Sequence, residues 1–145
     1  MIYYKKIVQY YTKYPQKGMN RMKILESAEN YLETILILQK RNGSVRSIDI
    51  VNELDYTKPS VSIAMKHLRE NGYIEMDKSG HITLLDAGLE IAEMMYERHT
   101  SLTNFLIALG VSPETAKEDA CRIEHIISQE SFEAIKNHAK EKQNT

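Results

Sequence analysis

Apolar residues recur at helical spacing over most of this chain, broken once by a short stretch of period two. Leu25, Ala28, Leu32, Ile35 and Leu36 mark the inward face of a helix expected from about Lys23 to Arg41, with Asn42-Gly43 as its end. A short helix is expected over Ile48 to Leu54, capped by Ser47, followed by a tight break at Asp55-Tyr56. Thr57 is placed to cap the next helix, which carries Pro59 in its first turn and stops at Asn71-Gly72. That helix turns Val61, Ala64, Met65 and Leu68 inward and Ser62, Ile63, Lys66 and His67 outward. The period then changes: Tyr73 to Met76 and His81 to Leu84 read as two strands joined by the turn Asp77-Lys78-Ser79-Gly80. A long helix from about Asp86 to Leu109 follows, with Ile91, Ala92, Met95, His99, Leu102 and Leu106 as one stripe. Ser112-Pro113-Glu114 starts another, with Ala116, Ala120, Ile123 and Ile127 inward, and a last helix after Ser128 buries Phe132 and Ile135.

Two helices across a short break, then a hairpin, make a helix-turn-helix with a wing. Duplex DNA accounts for both parts together, because its major groove admits a helix while neighbouring phosphates hold the wing. Ser60, Ser62 and Ile63 are the expected base readers, with Ile63 suited to a thymine methyl; Thr57, Lys58, Lys66 and Lys78 are expected on phosphates. The helices after the wing form a small core, which pairing across a two-fold axis would complete, and a homodimer suits palindromic sites. The expected fold class is therefore mostly α: an N-terminal extension over 1–21, a winged helix-turn-helix DNA-binding domain over 22–90, and an all-helical dimerisation and metal-binding domain over 91–145.

Charge sharpens this division. Among the 145 residues the net charge is −1, yet up to Met76 there are 12 Lys and Arg against 8 Asp and Glu, and beyond it 7 against 12. The basic half suits phosphates and the acidic half suits cations. A single cysteine excludes an internal disulfide and fits a reducing compartment. No apolar run approaches the roughly 18 residues of a membrane span and no signal-peptide pattern opens the chain, so a soluble, cytoplasmic protein without membrane association is expected. Over residues 1–20, lysines interleaved with tyrosines suit either an arm along DNA or a frayed appendage, and the appendage is the preferred reading.

The candidate chemistry sits in Ala120-Cys121-Arg122-Ile123-Glu124-His125, where a thiol, a carboxylate and an imidazole fall together on one helix flank beside the buried stripe. In the first helix Glu26, Asn30 and Glu33 share a face, expected as a solvated flank that also offers oxygen donors. With no general base, oxyanion element or Gly-rich phosphate loop beside these donors, an enzyme is not expected and no small-molecule substrate is implied; a metallohydrolase is the weaker rival reading.

Glu29-Asn30-Tyr31-Leu32-Glu33-Thr34-Ile35, Pro59-Ser60-Val61-Ser62 and Asp119-Ala120-Cys121-Arg122-Ile123-Glu124-His125 resemble the diphtheria-toxin-repressor family of iron- and manganese-dependent transcriptional repressors, in its order and spacing from about Lys23 to His138. In extent the chain is similar to the family's short manganese-regulator branch. The resemblance implies a homodimer that binds palindromic operators when loaded with a divalent metal. It further implies a primary metal site from Asn30, Cys121, Glu124 and His125, and a second site from Glu33 and His99 that shares Glu124.

The donor set is a hybrid of the two branches. Asn30 stands where iron regulators have Met and manganese regulators Asp; Cys121 is like the iron branch and Glu33 like the manganese branch. Mn(II) or Fe(II) is the expected metal, with Zn(II), Co(II) or Ni(II) also accommodated by a thiolate. The expected mechanism is a clamp: the ion joins Asn30 to the Cys121 helix and sets two recognition helices about one DNA turn, ~34 Å, apart. The alternative is a winged-helix regulator that needs no metal.

Overall fold

The cap at Thr57 shows how local sequence sets the architecture. The Thr57 hydroxyl accepts from the Ser60 amide at 3.3 Å, so α3 (Lys58–Glu70) starts where the sequence places it. The computed structural model describes residues 19–144, and side chains from Glu26 onward. The arm expected over 1–20 lies outside the described residues up to residue 18; from Met19 the chain is already in α1 (Met19–Asn42), ahead of the expected start at Lys23. The other elements are α2 (Ser47–Leu54), β1 (Ile74–Met76), β2 (Ile82–Leu84), α4 (Asp86–Ala108), α5 (Pro113–Ile126) and α6 (Gln129–Gln143). None of the described helices is long and apolar enough to cross a membrane.

The chain divides into two compact units between Glu93 and Met94, within α4. In the first unit α2 packs on α1 and α3, and α3 packs on β1. The inward row expected for α3 is buried at Val61, Met65 and Leu68, while Ala64 is only half-buried. Full burial of each large apolar side chain contributes about 1.5–3 kcal/mol. Asp55 ends α2 in the left-handed conformation (φ 54°), and Tyr56 meets Tyr31 of α1 edge-on at 5.9 Å, which fixes the break between the two helices. The cap of α2 differs from expectation. Ser47 is the first helical residue, and the free amide is that of Arg46, which donates to the Asp49 carboxylate at 2.8 Å. A carboxylate three residues into the helix does what a capping hydroxyl would have done.

The wing is an antiparallel hairpin in the register Ile74–Leu84, Glu75–Thr83 and Met76–Ile82. The Asp77 carboxylate accepts from the Ser79 and His81 amides at 2.8 and 2.9 Å, and the His81 amide bond leads the interactions that hold its pKa below the usual carboxylate range. Opposite, the Ile82 amide donates to the Val45 carbonyl at 2.8 Å and Arg46 bridges to His81, so the segment before α2 extends the hairpin.

The start of α4 lies against the wing at Gly88. A Cβ there would stand 2.1 Å from the Tyr73 carbonyl oxygen and 3.3 Å from the Leu32 side chain, so only glycine lets helix and hairpin approach. Gly88→Ala is expected to cost about 1–3 kcal/mol and lower the melting temperature. An unchanged melt would show that the contact is not close in solution.

The second unit is built from the rest of α4 with α5 and α6. Leu102, Ala120 and Phe132 form its buried centre, with Ile123, Ile127 and Ile135 packed around it. Ser112 caps α5 through the Thr115 amide, as expected, and Ser128, after which the last helix is expected, caps α6 through the Ser131 amide.

Candidate metal centre and DNA-reading face

In α5, Glu124 follows Ala120 by four residues and Ala116 by eight, so it continues the buried row rather than standing on the flank beside it. It is 1% exposed, a carboxylate in the interior of the unit, whereas Cys121 is exposed. His99, from α4, reaches both. Its Nδ1 is 2.8 Å from Glu124 Oε2 and 3.6 Å from Cys121 Sγ. The donor atoms of His99, Cys121 and Glu124 all lie within 4.8 Å of one another. His125 Nε2 is 3.4 Å from the other carboxylate oxygen of Glu124.

Burying a carboxylate costs several kcal/mol unless a cation or hydrogen-bond donors compensate it. Here the neighbouring imidazole does so. The hydrogen bond with Cys121, then that with Glu124, pushes the pKa of His99 up to about 10, while burial works against the shift. A divalent ion is a second way to compensate the same carboxylate. Imidazole, thiolate and carboxylate are also the donors that bind first-row transition metals, so the residues present fit such an ion.

His99, which the resemblance puts with Glu33 and Glu124, lies here beside Glu124 and also beside Cys121, which the resemblance assigns to the primary site. Asn30 is half-buried on α1, its backbone carbonyl accepting from the Thr34 hydroxyl at 2.7 Å. Glu33 is buried rather than solvated as expected, and so is Glu29, which the sequence pattern did not single out. Arg98, also buried, is the other residue missed: its guanidinium binds the carbonyls at the end of α5.

The candidate reading face belongs to the first unit. Thr57, Lys58, Ser60, Ser62, Ile63 and Lys66 are exposed at the start and along the outer side of α3, and Lys78 is exposed on the wing turn. Ile63 is 59% exposed, which no packing requirement explains. The Thr57 hydroxyl is engaged with Ser60, donating to its Oγ at 2.8 Å, and Lys66 lies 3.9 Å from Glu70. With no acidic residue in its first turn, α3 presents an N-terminus favourable to phosphate.

A reading helix with a wing in one unit and a cluster of metal-binding donors in the other define a metal-responsive DNA-binding regulator. Residues 23–82 match the N-terminal DNA-binding domain of the iron-dependent repressors, and residues 85–144 match their metal-binding and dimerisation domain. The chain belongs to the iron-dependent repressor family, and the members it matches are named as transcriptional regulators. It is 36% identical over 111 residues to the transcriptional regulator MntR of Escherichia coli O6:H1, covering 77% of this chain and 72% of that protein. It is 32% identical over 113 residues to a helix-turn-helix transcriptional regulator of Methanocaldococcus jannaschii, covering 77% of this chain and 90% of the relative. A solved manganese-dependent transcriptional repressor in complex with manganese matches with a TM-score of 0.70 at 26% identity, over 77% of this chain and 51% of that one. The chain thus spans about half the length of that repressor.

The raised pKa of His99 makes the metal-free protein sensitive to alkali. The imidazole binds its proton more tightly folded than unfolded, so its contribution to stability is complete below about 6.5 and is lost as pH rises through about 10. In urea unfolding of metal-free protein, the stability difference between the unsubstituted chain and His99→Gln is expected to shrink across that window. A difference independent of pH would contradict the pairing.

Proposed function

We propose that this chain represses transcription as a homodimer that takes its operator when the His99, Cys121 and Glu124 cluster, with His125 beside it, holds Mn(II) or Fe(II). The observation that carries the reading is the convergence of three metal-binding groups around one buried carboxylate, in a chain that also carries an exposed reading helix and wing. The relatives add to it: one is a regulator named MntR, and one was solved as a manganese-dependent repressor with manganese. Exposed apolar side chains at Ile107, Leu109 and Ile126 in the second unit support self-association. Asn30 and Glu33 are further donors implied by the resemblance, and Asn30→Ala, followed by Mn(II) titration, tests the first of them.

His99, Cys121 and Glu124 would hold the ion, whose positive charge would offset that of the carboxylate and thiolate, and its effect on DNA binding would be a coupling free energy. About 1–3 kcal/mol gives a 5- to 150-fold response. In fluorescence anisotropy with a duplex selected from a random library in the presence of Mn(II), chelator is expected to weaken binding by a factor in that range. Cys121→Ala is expected to be weak with or without metal. Affinity indifferent to both chelator and Cys121→Ala would overturn the reading.

The division of labour on α3 has its own signature. Lys66→Ala is expected to weaken binding to every duplex and to reduce the salt dependence, because a phosphate contact releases counterions whatever the sequence. Ile63→Gln is expected to change which duplexes are selected, because it replaces an apolar contact with a hydrogen-bonding one. The same effect from both substitutions on a panel of selected and random duplexes would contradict these roles.

A further inference from the structure

A buried cation organises the turn between α5 and α6. The chain leaves α5 at Ile127 with extended backbone (φ −68°, ψ 136°), so carbonyls of the last helical turn lack amide partners further along the helix. Arg98 provides donors there. Its Nη1 donates to the carbonyls of Glu124 and Ile127, both at 3.0 Å. Its Nη2 donates to Gln129 Oε1 at 3.1 Å, and Gln129 in turn donates to Glu133 at 2.8 Å. The guanidinium stands 5.6 Å from the centre of the Phe132 ring, and the residue is 8% exposed. Positive charge at the C-terminal end of a helix is also favoured by the helix dipole.

The next residue along α4 is His99, whose ring holds the Glu124 carboxylate at 2.8 Å. Two consecutive residues therefore grip one glutamate at its two ends, Arg98 by the main-chain oxygen and His99 by the side chain. Core packing alone would place α5 beside α4 without fixing the last turn of α5 in rotation and height. The two-point hold on Glu124 fixes both, and Cys121, one turn earlier on the same helix, moves with it.

We propose that Arg98 is a positioning residue of the metal centre, setting through the Glu124 carbonyl the distance at which Glu124 and Cys121 meet His99. The proposal rests on the reading of that cluster as a metal site. Arg98 itself does not touch the ion. Its planar fork matters, because one group must serve the Glu124 and Ile127 carbonyls and the Gln129 side chain together.

The test uses the full chain and Co(II) alone, read by the thiolate-to-Co(II) absorption band and its titration. Arg98→Lys keeps the charge and loses the fork. Partners that orient metal ligands typically account for 10- to 100-fold in affinity, so Arg98→Lys is expected to weaken Co(II) binding about 10-fold or more and to shift the band. The control is Ile135→Ala, which loosens the same core without touching Glu124; it is expected to lower the melting temperature while affinity stays within about twofold of the unsubstituted chain. Unchanged affinity in Arg98→Lys, or an equal loss in Ile135→Ala at an equal fall in melting temperature, overturns the proposal. Should Arg98→Lys fail to fold, Gln129→Ala decides: it frees one side of the guanidinium, so weaker Co(II) binding supports the proposal and unchanged binding overturns it. Absence of the band in the unsubstituted chain is a separate outcome, which removes the metal reading and the proposal with it.

Discussion

A carboxylate buried in the interior of a small helical unit is the constraint from which the rest follows. Glu124 cannot stay charged there without compensation, which the His99 ring supplies at 2.8 Å with the His125 ring 3.4 Å from the other oxygen, while Arg98 holds the main-chain carbonyl of the same residue. Isolated burial of such a charge would cost several kcal/mol. α4 brings two basic residues in succession to the end of α5, His99 to the carboxylate and Arg98 to the carbonyls beside it. A divalent ion at the same place would offer a stronger compensation, drawing on the Cys121 sulfur as well.

The separation of tasks along the chain follows a simple physical logic. DNA reading needs exposed side chains on a rigid helix, and α3 is made rigid by a capped start, a buried inner row and a hairpin packed at its end. The proposed metal centre needs partly sheltered donors held in fixed geometry, and α4 and α5 bring such groups together around the Leu102, Ala120 and Phe132 centre. Each unit thus meets one requirement, with its own apolar contacts to hold it.

Most of the fold was legible in the sequence because its signals are local. Caps at Thr57, Ser112 and Ser128, the prolines that follow two of them, and the change of period at Tyr73 fix element starts without reference to the rest of the chain. One local signal misled: Ser47 looked like a cap, but the Asp49 carboxylate takes that part. The cluster was half legible. Cys121, Glu124 and His125 lie within five residues, whereas His99 is 22 residues before Cys121 and joins them only through helix packing, which periodicity does not encode. For the same reason nothing in the pattern marks Arg98, and Glu33 reads as a solvated carboxylate; a charged residue looks alike in sequence whether its partner is water or a carbonyl.

In the proposed function, the charge on Glu124 couples ion binding to DNA binding. Glu124→Gln, which keeps the shape and removes the charge, tests it most directly when its affinity for a selected duplex is measured with chelator and with saturating Mn(II). The unsubstituted chain should gain 5- to 150-fold on adding metal, roughly the range for coupled sites, and Glu124→Gln should gain nothing. Equal gains in the two proteins would contradict the account.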